Sequence, residues 1–231
     1  MPPPEGFTLA EVLITLGIIG VVAAMTMPVL IEKQREKVTV NKMKKMYSTL
    51  SNAYNMYNNE EQPGEYSLPW SYDGALQVFN IFRPYLKIAK DCGANGQGCF
   101  YMKNYKWLDG SSVSANYGTN SRYYKVLLAD GASIAFRGIA GNYVKDGPQF
   151  YIFYDVNGAN GPNTYGKDLF QFNLVNNMVI AIGNEDSEFL TRCLGGSQNY
   201  GDRCTAWVIF NENLDYLHCK DLPWNGKTSC K

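Results

Sequence analysis

The sequence predicts an α+β protein: a long N-terminal helix carrying a β-rich domain. Three observations predict it. An apolar run from Phe7 to Ile31 holds one charge, Glu11. A helical repeat of apolar residues continues past that run. The remainder alternates aromatic segments of strand length with clusters of Gly, Asn and Asp.

The run reads FTLAEVLITLGIIGVVAAMTMPVLI. As a helix it is long enough to cross about 30 Å of hydrocarbon. A secretory signal peptide has a shorter apolar core behind a basic start and ends at a small-residue cleavage site. None of this fits, because the run is long, an acid stands near its beginning and no basic residue precedes it. A carboxylate at the centre of such a run costs about 3 kcal/mol on insertion scales, so Glu11 needs a partner or a function.

The segment GFTLAEVLITLGIIG resembles the N-terminal signature of type IV prepilins and type II secretion pseudopilins. That family has a short leader ending in Gly, then Phe, Thr-Leu, and Glu as the fifth residue of the mature chain. Gly6, Phe7, Thr8, Leu9 and Glu11 fill those places. The resemblance implies cleavage between Gly6 and Phe7 by a membrane prepilin peptidase, followed by N-methylation of Phe7. Pro28 stands where many such pilins carry a helix-kinking proline. The leader Met1 to Gly6 departs from the family pattern in having no Lys or Arg. The motif covers about the first tenth of the chain and is specific.

The charge logic of the motif also follows from physics. Cleavage leaves an α-amine on Phe7, about one helical turn from Glu11. In a growing filament, Glu11 of an incoming subunit meets the amine of one already in place. Pairing relieves the desolvation of both charges and rewards correct axial register. Gly17 and Gly20 allow close approach of neighbouring anchors.

Beyond the run, Met43, Tyr47, Leu50, Tyr54 and Tyr57 recur at spacings of four and three, with Lys42, Lys45, Asn52 and Asn59 on the opposite face. This half of the helix is expected to pack against a globular domain. Gln62-Pro63-Gly64 is expected to end it. The organisation read from the sequence is a leader at 1–6, a transmembrane assembly helix at 7–31, its amphipathic continuation at 32–62 and a globular α+β pilin-like head at 63–231.

In the head, a second helix is expected from Ala75 to Lys90, with Leu76, Phe79, Phe82 and Leu86 on one face. Pro84 argues against its last turns. Arg122 to Leu128 and Ser133 to Phe136 flank Asp130-Gly131, a hairpin signal. Gln149 to Val156 reads as an aromatic strand. Leu169 to Val175 and Met178 to Ile182 flank Asn176-Asn177, and Ala206 to Phe210 reads as a further strand. These predict an antiparallel sheet of four or more strands covering the C-terminal half of the long helix.

Lys and Arg number 21, as do Asp and Glu, which argues against nucleic acid as the main partner. The six cysteines all follow residue 90, no Cys-x-x-Cys pair occurs, and the single histidine is His218. A zinc site wants tighter Cys/His spacing. An even count in Gly- and Asn-rich loops reads as disulfides formed in an oxidising compartment. Each neighbouring pair encloses a short polar segment, so the pairs expected are Cys92 with Cys99, Cys193 with Cys204, and Cys219 with Cys230. Lys33, Arg35 and Lys37 follow the apolar run, and the positive-inside rule alone places the head in the cytoplasm. The resemblance and the cysteines place it on the extracytoplasmic side and are given precedence.

One loop invites a cofactor. In DVNGANGPNTYGKDLF, the residues Asp155, Asn157, Asn160 and Asp168 offer short oxygen-bearing side chains among glycines. Calcium takes several such ligands, and the loop loosely resembles the calcium-holding loop of major pseudopilins. It equally reads as a hydrogen-bonded Asx and Gly turn between strands. No catalytic set emerges: there is no Walker loop, no dinucleotide fingerprint between strand and helix, and His218 has no nucleophile partner in the pattern.

The function these readings predict is a filament subunit and not an enzyme. It is a single-pass membrane protein with copies of itself, other pilin-like subunits, the prepilin peptidase and a membrane assembly platform as partners. A pseudopilus of type II secretion and a surface pilus for adhesion, motility or DNA uptake are both compatible with the sequence.

Overall fold

The structure is a computed structural model that describes residue 6 and residues 8–61, 68–139, 150–194 and 200–230. Phe7 and the helix stop expected at 62–64 lie outside the described residues.

Helix α1 runs from Leu9 to Glu61, about 80 Å at 1.5 Å per residue. Contacts divide the chain into two compact units, Met1–Val38 and Thr39–Lys231. The second unit therefore begins inside α1, and the C-terminal part of the helix belongs to the core of the head.

In the first unit, the side chains from Thr8 to Val38 are exposed apart from the half-buried Ala23 and Glu36. The helix continues through Pro28. Proline has no N–H, so the bond to the Ala24 carbonyl is missing there. Thr15 and Thr26 satisfy their hydroxyls locally, donating to the carbonyls of Val12 at 3.0 Å and Val22 at 2.9 Å, as a polar group in an apolar setting must.

In the second unit, Val40, Met43, Met46, Leu50, Ala53 and Tyr54 form a buried stripe on α1. It packs on a six-stranded antiparallel sheet whose spatial order is its sequence order. The strands are β1 (Ile88–Gly93), β2 (Tyr124–Leu128), β3 (Ser133–Gly138), β4 (Phe150–Asp155), β5 (Leu169–Val175) and β6 (Met178–Ala181). Side chains alternate between faces. Tyr124, Val126, Ile134, Phe136, Phe150, Ile152, Phe170 and Phe172 share one core with α1. Tyr47 stacks on Phe172 at 5.9 Å and Tyr54 meets Phe150 edge-on at 6.1 Å. Helix α2 (Tyr72–Phe82) covers the same face, with Phe79 stacked on Tyr124 at 4.2 Å and Phe82 on Phe136 at 5.8 Å. On the opposite face Tyr123, Ala135, Phe153 and Leu169 meet Phe100, Tyr105, Val113, Tyr117 and Tyr165 in a second core.

The turns form as their residues require. Asn176 and Asn177 adopt φ of 48° and 59°, the left-handed pair of a two-residue hairpin turn. Gly131 at φ 81° closes β2 to β3, donating its N–H to the Leu128 carbonyl at 3.0 Å.

Three expectations are corrected. The helix expected over Ala75 to Lys90 stops at Phe82, followed by a short 3-10 turn, Arg83–Tyr85, and Ile88 onward is strand β1. Pro84 cannot donate into a continuing α-helix, and the 3-10 turn absorbs it. Ala206 to Phe210 is not a strand but the body of helix α4 (Thr205–Asn211), which packs on β5 and β6. A short apolar run does not distinguish a buried strand from a buried helix. Lys42, expected on the polar face opposite the packing stripe, instead reaches the head: its ammonium donates to the carbonyls of Val156 at 2.9 Å and Asp130 at 3.3 Å. Helix α3 (Asp186–Arg192), unforeseen in the sequence, precedes α4.

Candidate functional site

The first candidate is the start of α1. Thr8 caps the helix and Glu11 is its third residue. The Thr8 N–H and hydroxyl both donate to Glu11 Oε2, at 2.8 and 2.7 Å, while the Glu11 N–H donates back to Thr8 Oγ1 at 3.3 Å. This is a capping box of the form T-x-x-E, which satisfies otherwise orphaned donors at a helix start. The carboxylate is thereby fixed at the positive end of the helix dipole. Both contacts fall on Oε2, and among the described residues Oε1 has no partner. Sequence reasoning singled out Glu11 but missed what Thr8 does for it, although the spacing was legible.

Within the same unit, a Cβ added at Gly17 or Gly20 meets nothing within 4 Å. Among the described residues, nothing calls for glycine at either position. Close approach of another helix is a reason for both. By length and composition α1 can cross a membrane.

The second candidate is the loop joining β4 to β5. Asp155 is fully buried, and its carboxylate takes four donors. The N–H groups of Asn157 and Gly158 reach Oδ1 at 2.9 and 3.1 Å. The Asn163 amide reaches Oδ2 at 2.6 Å, joined there by the Tyr105 hydroxyl. Burial pushes the Asp155 carboxyl up to about 8, and the hydrogen bonds from Tyr105 and Asn157 pull against that shift. Burial likewise pushes the Tyr105 hydroxyl far up, so the phenol keeps its proton and donates. Asn157 bridges to Asp168 Oδ1 at 2.7 Å, and Asp168 Oδ2 accepts the Thr164 N–H at 2.9 Å. Asn160 stands apart, bonding only the Asn157 carbonyl at 3.3 Å.

The structure thus gathers Asp155, Asn157 and Asp168 and leaves Asn160 outside. Each Asp155 oxygen already holds two protein donors, and the Asn157 and Asn163 amides present N–H to the acids. A calcium ion would have to displace Tyr105 and Asn163 and turn both amides over, so the arrangement does not fit the ion. Among the described residues no group of three or more His, Cys, Asp or Glu is placed to hold a metal.

The cysteines join Cys92 to Cys99, Cys193 to Cys204 and Cys219 to Cys230, the local pairs named from the sequence. No thiol is free to act as a nucleophile, and His218 is exposed. The first bridge sits beside a residue the sequence reading passed over. Lys125 is fully buried on β2. Its ammonium donates to the carbonyls of Ala94 at 2.6 Å, Asn120 at 2.7 Å and Tyr123 at 3.2 Å, tying the bridged loop to the sheet. Burial pushes it down to about 8. Only its place on the buried face of a strand could have signalled this. The second bridge links the end of α3 to the start of α4. The third closes the C-terminal loop, where Asp215 Oδ2 accepts the Cys230 N–H at 2.6 Å.

The chain has no significant match among curated proteins or solved structures. One family model does match. Residues 4–27, which contain the capped acid and most of the apolar run, match the prokaryotic N-terminal methylation motif, so the chain carries the signature of type IV prepilins and pseudopilins.

Proposed function

We propose that the protein is the precursor of a structural subunit of a type IV pilus-like or type II secretion pseudopilus filament. It enters the membrane as a prepilin, is cleaved after Gly6, is methylated on Phe7, and polymerises through α1. The observation that carries this reading is the methylation motif at residues 4–27, set on an exposed apolar helix whose only acid before Ile31 is held at its first turn. Cleavage supplies a positive amine. Glu11 keeps Oε1 open while Thr8 occupies Oε2, so a neighbour's amine pairs without dismantling the cap. The three disulfides support a head on the extracytoplasmic side. Partners follow from the same reading: further copies of the chain, other pilin-like subunits, the prepilin peptidase and the membrane assembly platform.

Mass spectrometry of the N-terminal peptide from assembled filaments tests this. The expected species begins at Phe7 and carries one methyl group on its α-amine. Filaments built from chains that still begin at Met1 would overturn the proposal.

A further inference from the structure

We propose that Arg122, Trp70 and Arg137 form a binding site on the head for a phosphate group, carried as the free ion or as a monoester. The cluster joins three parts of the chain. Trp70 stands just before α2, Arg122 just before β2, and Arg137 on β3.

Two cations share one ring. The guanidinium carbon of Arg137 lies 4.3 Å from the centroid of the Trp70 indole, and that of Arg122 lies 4.7 Å from it. Like charges held this close repel. The attraction of each cation to the ring offsets part of that cost, and an anion beside them would offset more.

Arg137 is fixed in place. Its guanidinium also lies 5.3 Å from the Tyr151 ring and 5.9 Å from the Tyr123 ring. Tyr151 is the residue on β4 directly opposite Arg137, so the register of the sheet sets this arrangement. The Nε of Arg137 is buried with no hydrogen-bond partner, which is costly. The Tyr123 hydroxyl takes a hydrogen bond from this guanidinium but supplies no charge. A cation already ordered and partly stripped of water has less to lose when an anion binds.

Neither arginine has a carboxylate. Elsewhere the head compensates its cations. Arg203 reaches Glu188 at 3.2 Å, Arg192 pairs with Asp202, and three carbonyls surround the Lys125 ammonium. Among the described residues, no acid forms an ion pair with Arg122 or Arg137. The charge is also accessible, since Trp70 is 48% exposed and Arg122 is exposed.

The donors select the ligand. One guanidinium fork is enough for both oxygens of a carboxylate. Two forks serve more oxygens and balance more charge. A phosphate monoester offers three acceptor oxygens and nearly two negative charges at neutral pH. The indole is already engaged by the cations, so the site offers N–H groups to an oxyanion in preference to a ring for stacking.

The test uses the full chain, unassembled, in an uncharged detergent and a buffer free of phosphate and sulfate. Isothermal titration calorimetry follows inorganic phosphate, methyl phosphate and acetate. The expected result is saturable binding of phosphate that weakens with added salt and exceeds that of acetate. Tighter binding of methyl phosphate than of inorganic phosphate identifies the monoester as the ligand, and the reverse order identifies the free ion. Both sustain the site. Arg122→Gln should weaken phosphate binding about tenfold or more. Arg122→Lys should weaken it less, because the charge stays and only the fork is lost. Arg122 is exposed, so neither change disturbs the core. Arg83→Gln is the control. Arg83 also faces a ring, Phe79 at 5.8 Å, but it follows the C-terminal end of α2 whereas Trp70 precedes the N-terminal end. Its replacement should leave binding unchanged. No phosphate binding at millimolar concentration, equal losses in Arg122→Gln and Arg83→Gln, or acetate bound as tightly as phosphate would overturn the proposal. None of these outcomes depends on whether the chain forms filaments.

Discussion

Leu13 and Leu50 lie on the same helix, yet one is 61% exposed and the other fully buried. The two ends of α1 share backbone geometry and differ in what surrounds them. From Thr39 onward the chain supplies its own partners: Leu50 and Tyr54 bury against strands that the chain itself provides. From Leu9 to Val38, no apolar side chain is buried among the described residues, and Leu, Ile and Val stand exposed. Exposed apolar surface on this scale marks an interaction surface. Among the described residues the head buries its apolar side chains against itself, and the first part of α1 leaves its own exposed.

The comparison breaks most severely at Glu11. Replacing it with Val removes a charge that membrane insertion must carry, so insertion should persist or improve while filaments disappear. Thr8→Ala, which frees the carboxylate but keeps it, should reduce filament yield without abolishing it. Membrane fractionation reads insertion and shear recovery reads assembly. Normal filaments from Glu11→Val, with no wild-type subunit present, would show that the anchor assembles without the charge.

The head should respond to the opposite kind of change. Removing the Cys193–Cys204 bridge by double replacement with Ser should cost about 2–4 kcal/mol of head stability, with insertion unchanged. Denaturant titration followed by near-UV circular dichroism measures this, and an unchanged midpoint would mean the packing of α3 and α4 needs no covalent support.

A smaller effect should appear at Asp155. Its folded value of about 8 lies above the roughly 3.9 of an unfolded aspartate. Between those values the folded chain binds more protons than the unfolded one. The contribution is therefore full below about pH 4 and is lost as pH rises through about 8. Wild type should lose melting temperature relative to Asp155→Asn as pH rises across this range, because the amide of the variant does not ionise and lacks the slope. Parallel profiles would refute the assignment.

The smallest expected effect is zero. Thermal melts of the full chain in detergent should coincide with calcium and with chelator, because protein donors already fill Asp155. A higher melting temperature in calcium would show that the ion displaces them.

Sequence was most informative where one residue decides the local structure. Asn176-Asn177 and Gly131 tolerate positive φ, so their turns were legible, and a lone acid in an apolar run could not be overlooked. It was least informative where tertiary contacts decide. Ala206 to Phe210 is apolar and compact enough for either helix or strand. The Ala206 N–H bond to the Ile182 carbonyl at 2.9 Å and the Thr205 hydroxyl accepting from Gln171 at 3.2 Å dock it as a helix. Lys42 reads only as part of a polar face, and Lys125 carries no signal at all. Only the fold brings main-chain carbonyls around their ammonium groups. The edge-on contact of Phe210 with Trp224 at 6.2 Å was invisible for the same reason, since it joins residues from separate elements.

The order of the sheet has a consequence for how the head is made. Each strand pairs with the one before it, and the three bridges span separations of 7, 11 and 11 residues. Neither pairing nor bridging has to wait for a distant part of the chain, which keeps loop-closure entropy low. A polypeptide threaded from its N-terminus through a narrow translocation channel can therefore lay down its strands, and close its bridges, in the order in which they emerge.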